Sequence, residues 1–234
     1  TNESTYFRNN FTVGSYNLIK NNLQFSLKEN KVTLNLHYGF LETDGYRENN
    51  KFKREGLLLD LNYQINPKTN IGVLFNHVDY NAQIPSSLGE TDFKENPTKA
   101  AFTWKSAKGY EDNKYSLGGI TLNHSFSNKI KNTTSIFYSY LDHYEPAPFG
   151  ILEEYTNGYG FRTKFAGTWT SNESGIDYNF GAELYKDEYQ GSQFENLYQD
   201  NNGQGSLQGD QFSDNKEFRR QFNAFGNLLI PFGK

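Results

Sequence analysis

The chain has 234 residues and contains no cysteine, which excludes disulfide scaffolds, Cys-ligated zinc and thiol catalysis. It has no run of about 18 consecutive apolar residues, so it carries no membrane-spanning helix. A charged start followed by an apolar run is also missing, and no signal peptide is read from it. Aliphatic residues are scarce: 35% of the chain is hydrophobic, and 17% is already taken by aromatic rings. Net charge is only −4 and the isoelectric point is near 5.6, which argues against nucleic acid as a partner. Mean hydropathy is −0.82, yet 20 Phe and 17 Tyr do not belong to a disordered composition. These absences leave an aromatic, polar, glycine-bearing all-β chain.

The residues show a period of two. Val32, Leu34, Leu36, Tyr38 and Phe40 alternate with Thr33, Asn35, His37 and Gly39, as a strand with two unlike faces requires. Leu57–Ile65 and Ile176–Leu184 repeat the pattern, with Leu58 the exception. Further segments are Tyr6–Val13, Leu23–Leu27, Ile71–Tyr80, Ile120–Phe126, Ser135–Leu141, Tyr159–Trp169 and Phe218–Ile230. About ten strands of about nine to thirteen residues follow, the length that crosses a bilayer at a tilt. No helix is read anywhere in the chain.

Connections alternate in length. Short turns fall at Glu29–Lys31, Asn66–Asn70, Ser127–Asn132 and Thr170–Gly175; long links span 44–55, 81–114, 144–157 and 189–215. In an up-and-down meander, alternate links lie at opposite ends, so the short turns share one rim and the long links the other. The polar faces, with Arg162, Lys164, Arg219, Gln221 and Asn223, fit a lumen, and Tyr38, Phe40, Tyr138, Tyr140, Tyr159 and Trp169 fit interfacial girdles. The expected fold is an all-β transmembrane antiparallel up-and-down β-barrel, of which these strands form part.

Particular motifs then resemble a known family. Gly14-Ser15-Tyr16, Asp44-Gly45-Tyr46-Arg47-Glu48-Asn49, Gln83-Ile84-Pro85, Asn96-Pro97, Ala100-Ala101 with Trp104, and Lys108-Gly109-Tyr110-Glu111-Asp112 stand in this order. Over most of residues 10–170 the chain resembles the barrel of TonB-dependent outer-membrane receptors of the ferric-siderophore and ferric-citrate type. The resemblance implies a plugged barrel of about 22 strands, so residues 1–234 would be a partial barrel domain. The plug, the TonB-binding box and the remaining strands would lie outside this chain. The closing Ile230-Pro231-Phe232-Gly233-Lys234 is unlike the terminal aromatic strand of complete barrels of this type, which implies an interior or N-proximal piece. The resemblance further implies active import of a ferric siderophore or related iron chelate. The partners would be outer-membrane lipid, TonB acting through the plug, and the chelate, with no nucleic acid.

No catalytic constellation and no cofactor site is read, so the chain is expected not to be an enzyme. His37, His77 and His124 lie within strands; His143, beside Asp142 and Tyr144, is the best-placed histidine for a ligand, and no metal site is assigned. Ser86-Ser87 and Glu153-Glu154 read as loop polarity, and Gly118-Gly119 as relief of curvature within a strand. Binding is expected on the long-link rim, through Tyr46, Arg47, Trp104, Tyr110, His143 and Tyr144. Competing readings are that Asp44–Arg47 only shapes a turn and that Trp104 packs one loop on another. Link 189–215 is expected to be mobile and free of ligand contacts. At the level of function, the alternatives are a soluble or surface carbohydrate-binding β-domain and a passive porin.

Overall fold

The computed structural model describes residues 5–171 and 174–230. Ten strands run in chain order: β1 (Tyr6–Gly14), β2 (Leu18–Glu29), β3 (Val32–Thr43), β4 (Phe52–Asn66), β5 (Thr69–Gln83), β6 (Tyr110–Ser127), β7 (Ile130–Ala147), β8 (Gly150–Ser171), β9 (Ser174–Asn196) and β10 (Gln208–Leu229). They form one sheet in that same order, and every neighbouring pair is antiparallel. Nine of the ten periodic segments lie within these strands, and the tenth, Phe218–Ile230, passes the end of β10 by one residue. The sheet is open, with β1 and β10 as its two edges.

Each strand has an inward and an outward face. Outward, one register row reads Leu34, Leu61, Val73, Ile120, Ile136, Phe161, Leu184 and Phe222. Several of these are strongly exposed: Ile136 at 55%, Leu184 at 52% and Phe222 at 66%. An apolar band left uncovered along a whole sheet has lipid as its natural solvent. The next outward row runs Leu36, Leu59, Phe75, Gly118, Tyr138, Tyr159, Lys186 and Arg220, passing from aliphatic through tyrosine to charge. Strand tilt makes each row climb out of the apolar band from β3 towards β10.

Inward-facing glycines let aromatic rings lie flat on the wall. A Cβ at Gly160 would stand 1.9 Å from Phe137 Cζ, and one at Gly181 would stand 2.6 Å from Phe225 Cζ. Phe137 also stacks with Tyr185 at 6.3 Å, over the gap that Gly160 leaves. The glycines therefore serve close packing within strands, as rings do when they cover bare backbone.

Three expectations need correction. The strands are longer than expected, from 9 residues in β1 to 23 in β9, because they continue beyond the apolar band. Link 144–157 is not a long loop: β7 and β8 pair as far as Ala147 and Gly150, leaving a two-residue reversal, Pro148-Phe149. The described residues also include two helices, α1 (Glu90–Glu95) and α2 (Phe102–Ala107), both inside the β5–β6 link. At six residues each they are too short to leave a helical period in the sequence. The short turns at 30–31, 67–68 and 128–129 lie together at the opposite end, with Asn30 in the left-handed region (φ 49°). The centre of turn Thr170–Gly175 and the closing Pro231–Lys234 lie outside the described residues.

Candidate functional site

The rim opposite the short turns is built around the β5–β6 link. Its neck is held by Asn49, whose Nδ2 donates to the carbonyls of Ile84 and Gly109, both at 2.9 Å. Arg47 holds its base: Nη1 donates to Ser86 O at 2.7 Å, Nε to Lys99 O at 2.9 Å and Nη2 to Pro85 O at 3.4 Å. Between them, Glu48 pairs with Lys105 at 2.7 Å and accepts the Ala100 N–H at 3.3 Å. These two contacts hold the Glu48 carboxyl below its usual range, with the Lys105 bond the larger cause. Three successive residues of the β3–β4 link thus clamp one loop.

The other links close on the same loop. Trp104 of α2 meets Phe149 edge-on at 6.0 Å and covers Gly109, where a Cβ would lie 2.5 Å from its Cε3. Ser206 of the β9–β10 link donates both its N–H and its hydroxyl to Ala107 O, each at 2.8 Å. Asn196 Nδ2 reaches Ala147 O at 2.8 Å. The apolar side chains buried among the described residues are Ala100, Ala107, Pro146, Ala147, Ile151 and Tyr198, all in or beside these links. Among the described residues the buried apolar side chains therefore gather at the rim and not in the wall below. This also corrects the expectation for link 189–215. Most of it is strand, and residues 197–207 form an ordered turn docked on α2.

The six residues expected at the rim do not converge. Tyr46 stands at the rim, edge-on to Tyr16 at 5.8 Å and 49% exposed. Arg47 donates to carbonyls of the β5–β6 link and not within its own turn, and Trp104 packs one loop against another. Tyr110 and Tyr144 pair at 6.0 Å, but their register positions put them on the outward face, in line with Ile120 and Ile136. His143 lies on the inward face, where Nδ1 meets Asn113 Oδ1 at 2.8 Å and Nε2 stands 3.8 Å from Glu145 Oε2.

That inward face carries a polar belt which sequence reading missed. Tyr80 OH donates to Glu111 at 3.3 Å and accepts from Asn113 Nδ2 at 2.9 Å. Asn113 leads on to His143 and Glu145. Further round, Tyr189 OH donates to Glu154, while Arg219 pairs with Asp187 at 2.7 Å and lies 5.5 Å over the Tyr189 ring. Glu145 lies seven residues past Tyr138, above the apolar band. Burial pushes its carboxyl up, Glu111 and Glu154 add to this, and His143 opposes it. A second inward feature is a groove of about 510 Å³ over β2–β5, whose lining includes Lys20, Asn22, Gln24, His37 and Arg54. The usable signal was parity: inward positions continued upward past the tyrosine level. Among the described residues, no group of three or more His, Asp or Glu side chains is placed to hold a metal.

Fold and faces together define a stretch of transmembrane-type β-barrel wall with a built rim. Solved structures similar in fold to this chain include transporters and receptors for iron chelates. The FpvA structure of P. aeruginosa with bound pyoverdine–iron matches at TM-score 0.82 and 12% identity, over 98% of this chain and 35% of that one. The unliganded ferric citrate transporter FecA matches at TM-score 0.77 and 14% identity, over 93% and 34%. The ferric-catecholate import receptor Fiu of E. coli K12 matches at 0.70 and 12%, over 97% and 42%. The resemblance to TonB-dependent receptor barrels read in the sequence is thus present in the fold. The chain spans about a third of the length of FecA and FpvA. No protein-family model and no curated protein matches it.

Proposed function

We propose that this chain is barrel wall and rim of an outer-membrane TonB-dependent receptor that imports a ferric siderophore or related iron chelate. The observation that carries the reading is the ten-strand meander itself. The meander has a bare apolar outer band and a polar inner belt, and its fold matches that of a pyoverdine–iron-bound structure over 98% of the chain. One such neighbour is the ferripyoverdine receptor of the outer membrane of Pseudomonas aeruginosa. Residues 1–234 form part of the barrel domain. The two open edges are completed, and the lumen plugged, by further chain, because unpaired strand edges are not tolerated in lipid.

In this reading the loop clamp presents a fixed rim, and ligand enters past Tyr46 onto the inward belt near His143. Arg47 and Trp104 act by positioning the β5–β6 link, and Tyr110 and Tyr144 brace the wall from outside. The energy for passage comes through TonB and the plug, and so lies outside these residues. The test is uptake of radioactive iron by cells deleted for the gene and complemented with it, each supplied one chelate at a time. Restored uptake of one chelate, abolished by removing the TonB-binding box from the complementing gene, supports the reading. Uptake that survives that removal contradicts it.

A further inference from the structure

We infer that the short-turn rim binds a carboxylate-bearing polymer, the peptidoglycan that underlies an outer membrane. This rests on the reading of the sheet as outer-membrane wall, in which the short turns face the periplasm. Each of the three described reversals there ends in a lysine: Asn30-Lys31, Pro67-Lys68 and Asn128-Lys129. Lys28, Lys131 and Lys164 stand on the inward face of the adjoining strands. All six are exposed, and among the described residues none makes an ion pair. At the opposite rim Lys51, Lys53, Lys94, Lys99 and Lys105 each pair with a carboxylate. Six unpaired lysines thus gather at one end of a chain whose net charge is −4.

Geometry selects a polymer over a lipid or a folded protein. The outward positions at this end include Tyr63, Phe126 and Trp169, all exposed, and these meet the lipid. The strand lysines point the other way, and Lys129, Lys131 and Lys164 line one groove of about 440 Å³. The carboxylate in that groove, Asp177, accepts the Thr168 hydroxyl at 2.6 Å. Glu29 precedes the first turn on the outward face, away from Lys28. The turn tips are Asn, Pro and Lys, with no apolar centre for a folded partner to bury. Neighbouring turns are two strands apart, so their lysines stand about 10 Å from one another along the rim. Such a row of single charges matches a polymer that repeats its carboxylates, as the stem peptides of peptidoglycan do. Each exposed contact is weak, and the row binds through their number.

The experiment is sedimentation of the full-length protein, in detergent micelles, with purified peptidoglycan sacculi. The probes are native sacculi and sacculi whose carboxylates have been amidated, which removes their negative charge. Wild type is expected to sediment with native sacculi at least about tenfold more than with amidated ones. Lys31→Glu with Lys68→Glu and Lys129→Glu should erase the difference, and Lys31→Arg with Lys68→Arg and Lys129→Arg should keep it. Lys94→Glu, at the opposite rim, should sediment as wild type does. Binding should be released near about 1 M salt, where charges are screened beyond about 3 Å. Equal sedimentation with the two probes, or undiminished binding by the triple glutamate variant, overturns the site. So does retention of phosphatidylglycerol that the triple glutamate variant loses, when neither protein sediments with sacculi. A protein that stays monodisperse without detergent overturns the wall reading itself, whereas a detergent-dependent protein that ignores native sacculi overturns only this inference.

Discussion

Arg47 Nη1 donates to the carbonyl of Ser86 at 2.7 Å, joining two links that are 39 residues apart in the chain. With its bonds to Lys99 and Pro85, one guanidinium satisfies three carbonyls of a loop that has only two short helices of its own. Such loops otherwise open easily, because few buried contacts oppose them. Arg47→Ala should therefore raise amide hydrogen exchange throughout residues 84–109 and leave β6–β9 protected. Local opening should become easier by about 2 kcal/mol. Arg47→Lys should restore little, because an ammonium lacks the planar fork. Unchanged exchange in that loop would show that the clamp is dispensable.

Gly160 is a packing residue. Its missing Cβ is the space that Phe137 occupies, so Gly160→Val should destabilise the barrel by about 1–3 kcal/mol. Phe137→Ala in the same chain should recover part of that loss, since the clash is between these two positions. The check is the temperature of the heat-induced mobility shift in detergent. Strictly additive losses would mean that the ring and the glycine do not share the site.

Asp187 is only 6% exposed and holds the Arg219 guanidinium on the inward wall. Arg219→Leu should strand the carboxylate and cost about 2 kcal/mol, less than a fully buried pair because Arg219 itself is half open to water. Asp187→Asn with Arg219→Leu should cost less than Arg219→Leu alone, because the stranded charge is gone.

Glu145 gives the pH dependence. Its carboxyl is raised above the ordinary range by burial and by Glu111 and Glu154. The folded state therefore holds this proton more tightly than the unfolded chain, and stability falls as pH rises through the raised value. Glu145→Gln should melt higher than wild type near about pH 8, and the difference should vanish below about pH 4. A difference independent of pH would remove the electrostatic explanation.

Much of this was legible in the residues, and the boundary of legibility has a physical cause. Within the apolar band one face meets lipid and the other the lumen, so alternation is enforced and Val32–Phe40 or Ile176–Leu184 can be read directly. Above the band neither face meets lipid and the docked links bury Ala147 and Ile151, so residues 145–147 and 150–152 show no alternation and pass for a loop although they are paired strand. Helices α1 and α2 left no signal because six residues are too few to show a period; α2 is held instead by Glu48 at Lys105 and by Ser206 at Ala107. The site residues were chosen by chemical type. Tyr110, Tyr144 and His143 then parted because adjacent residues of a strand point to opposite faces.

The central claim is that one face of this sheet meets lipid and the other an aqueous lumen. Because residues 1–234 contain no cysteine, single cysteines can be placed along β8 at Phe161, Arg162, Thr163 and Lys164. With the full-length protein in bilayers, spin labels at these sites report collisions with oxygen, which concentrates in lipid, or with a water-soluble nickel chelate. The account predicts strict alternation: oxygen access at 161 and 163, nickel access at 162 and 164. Nickel access at all four positions would contradict it.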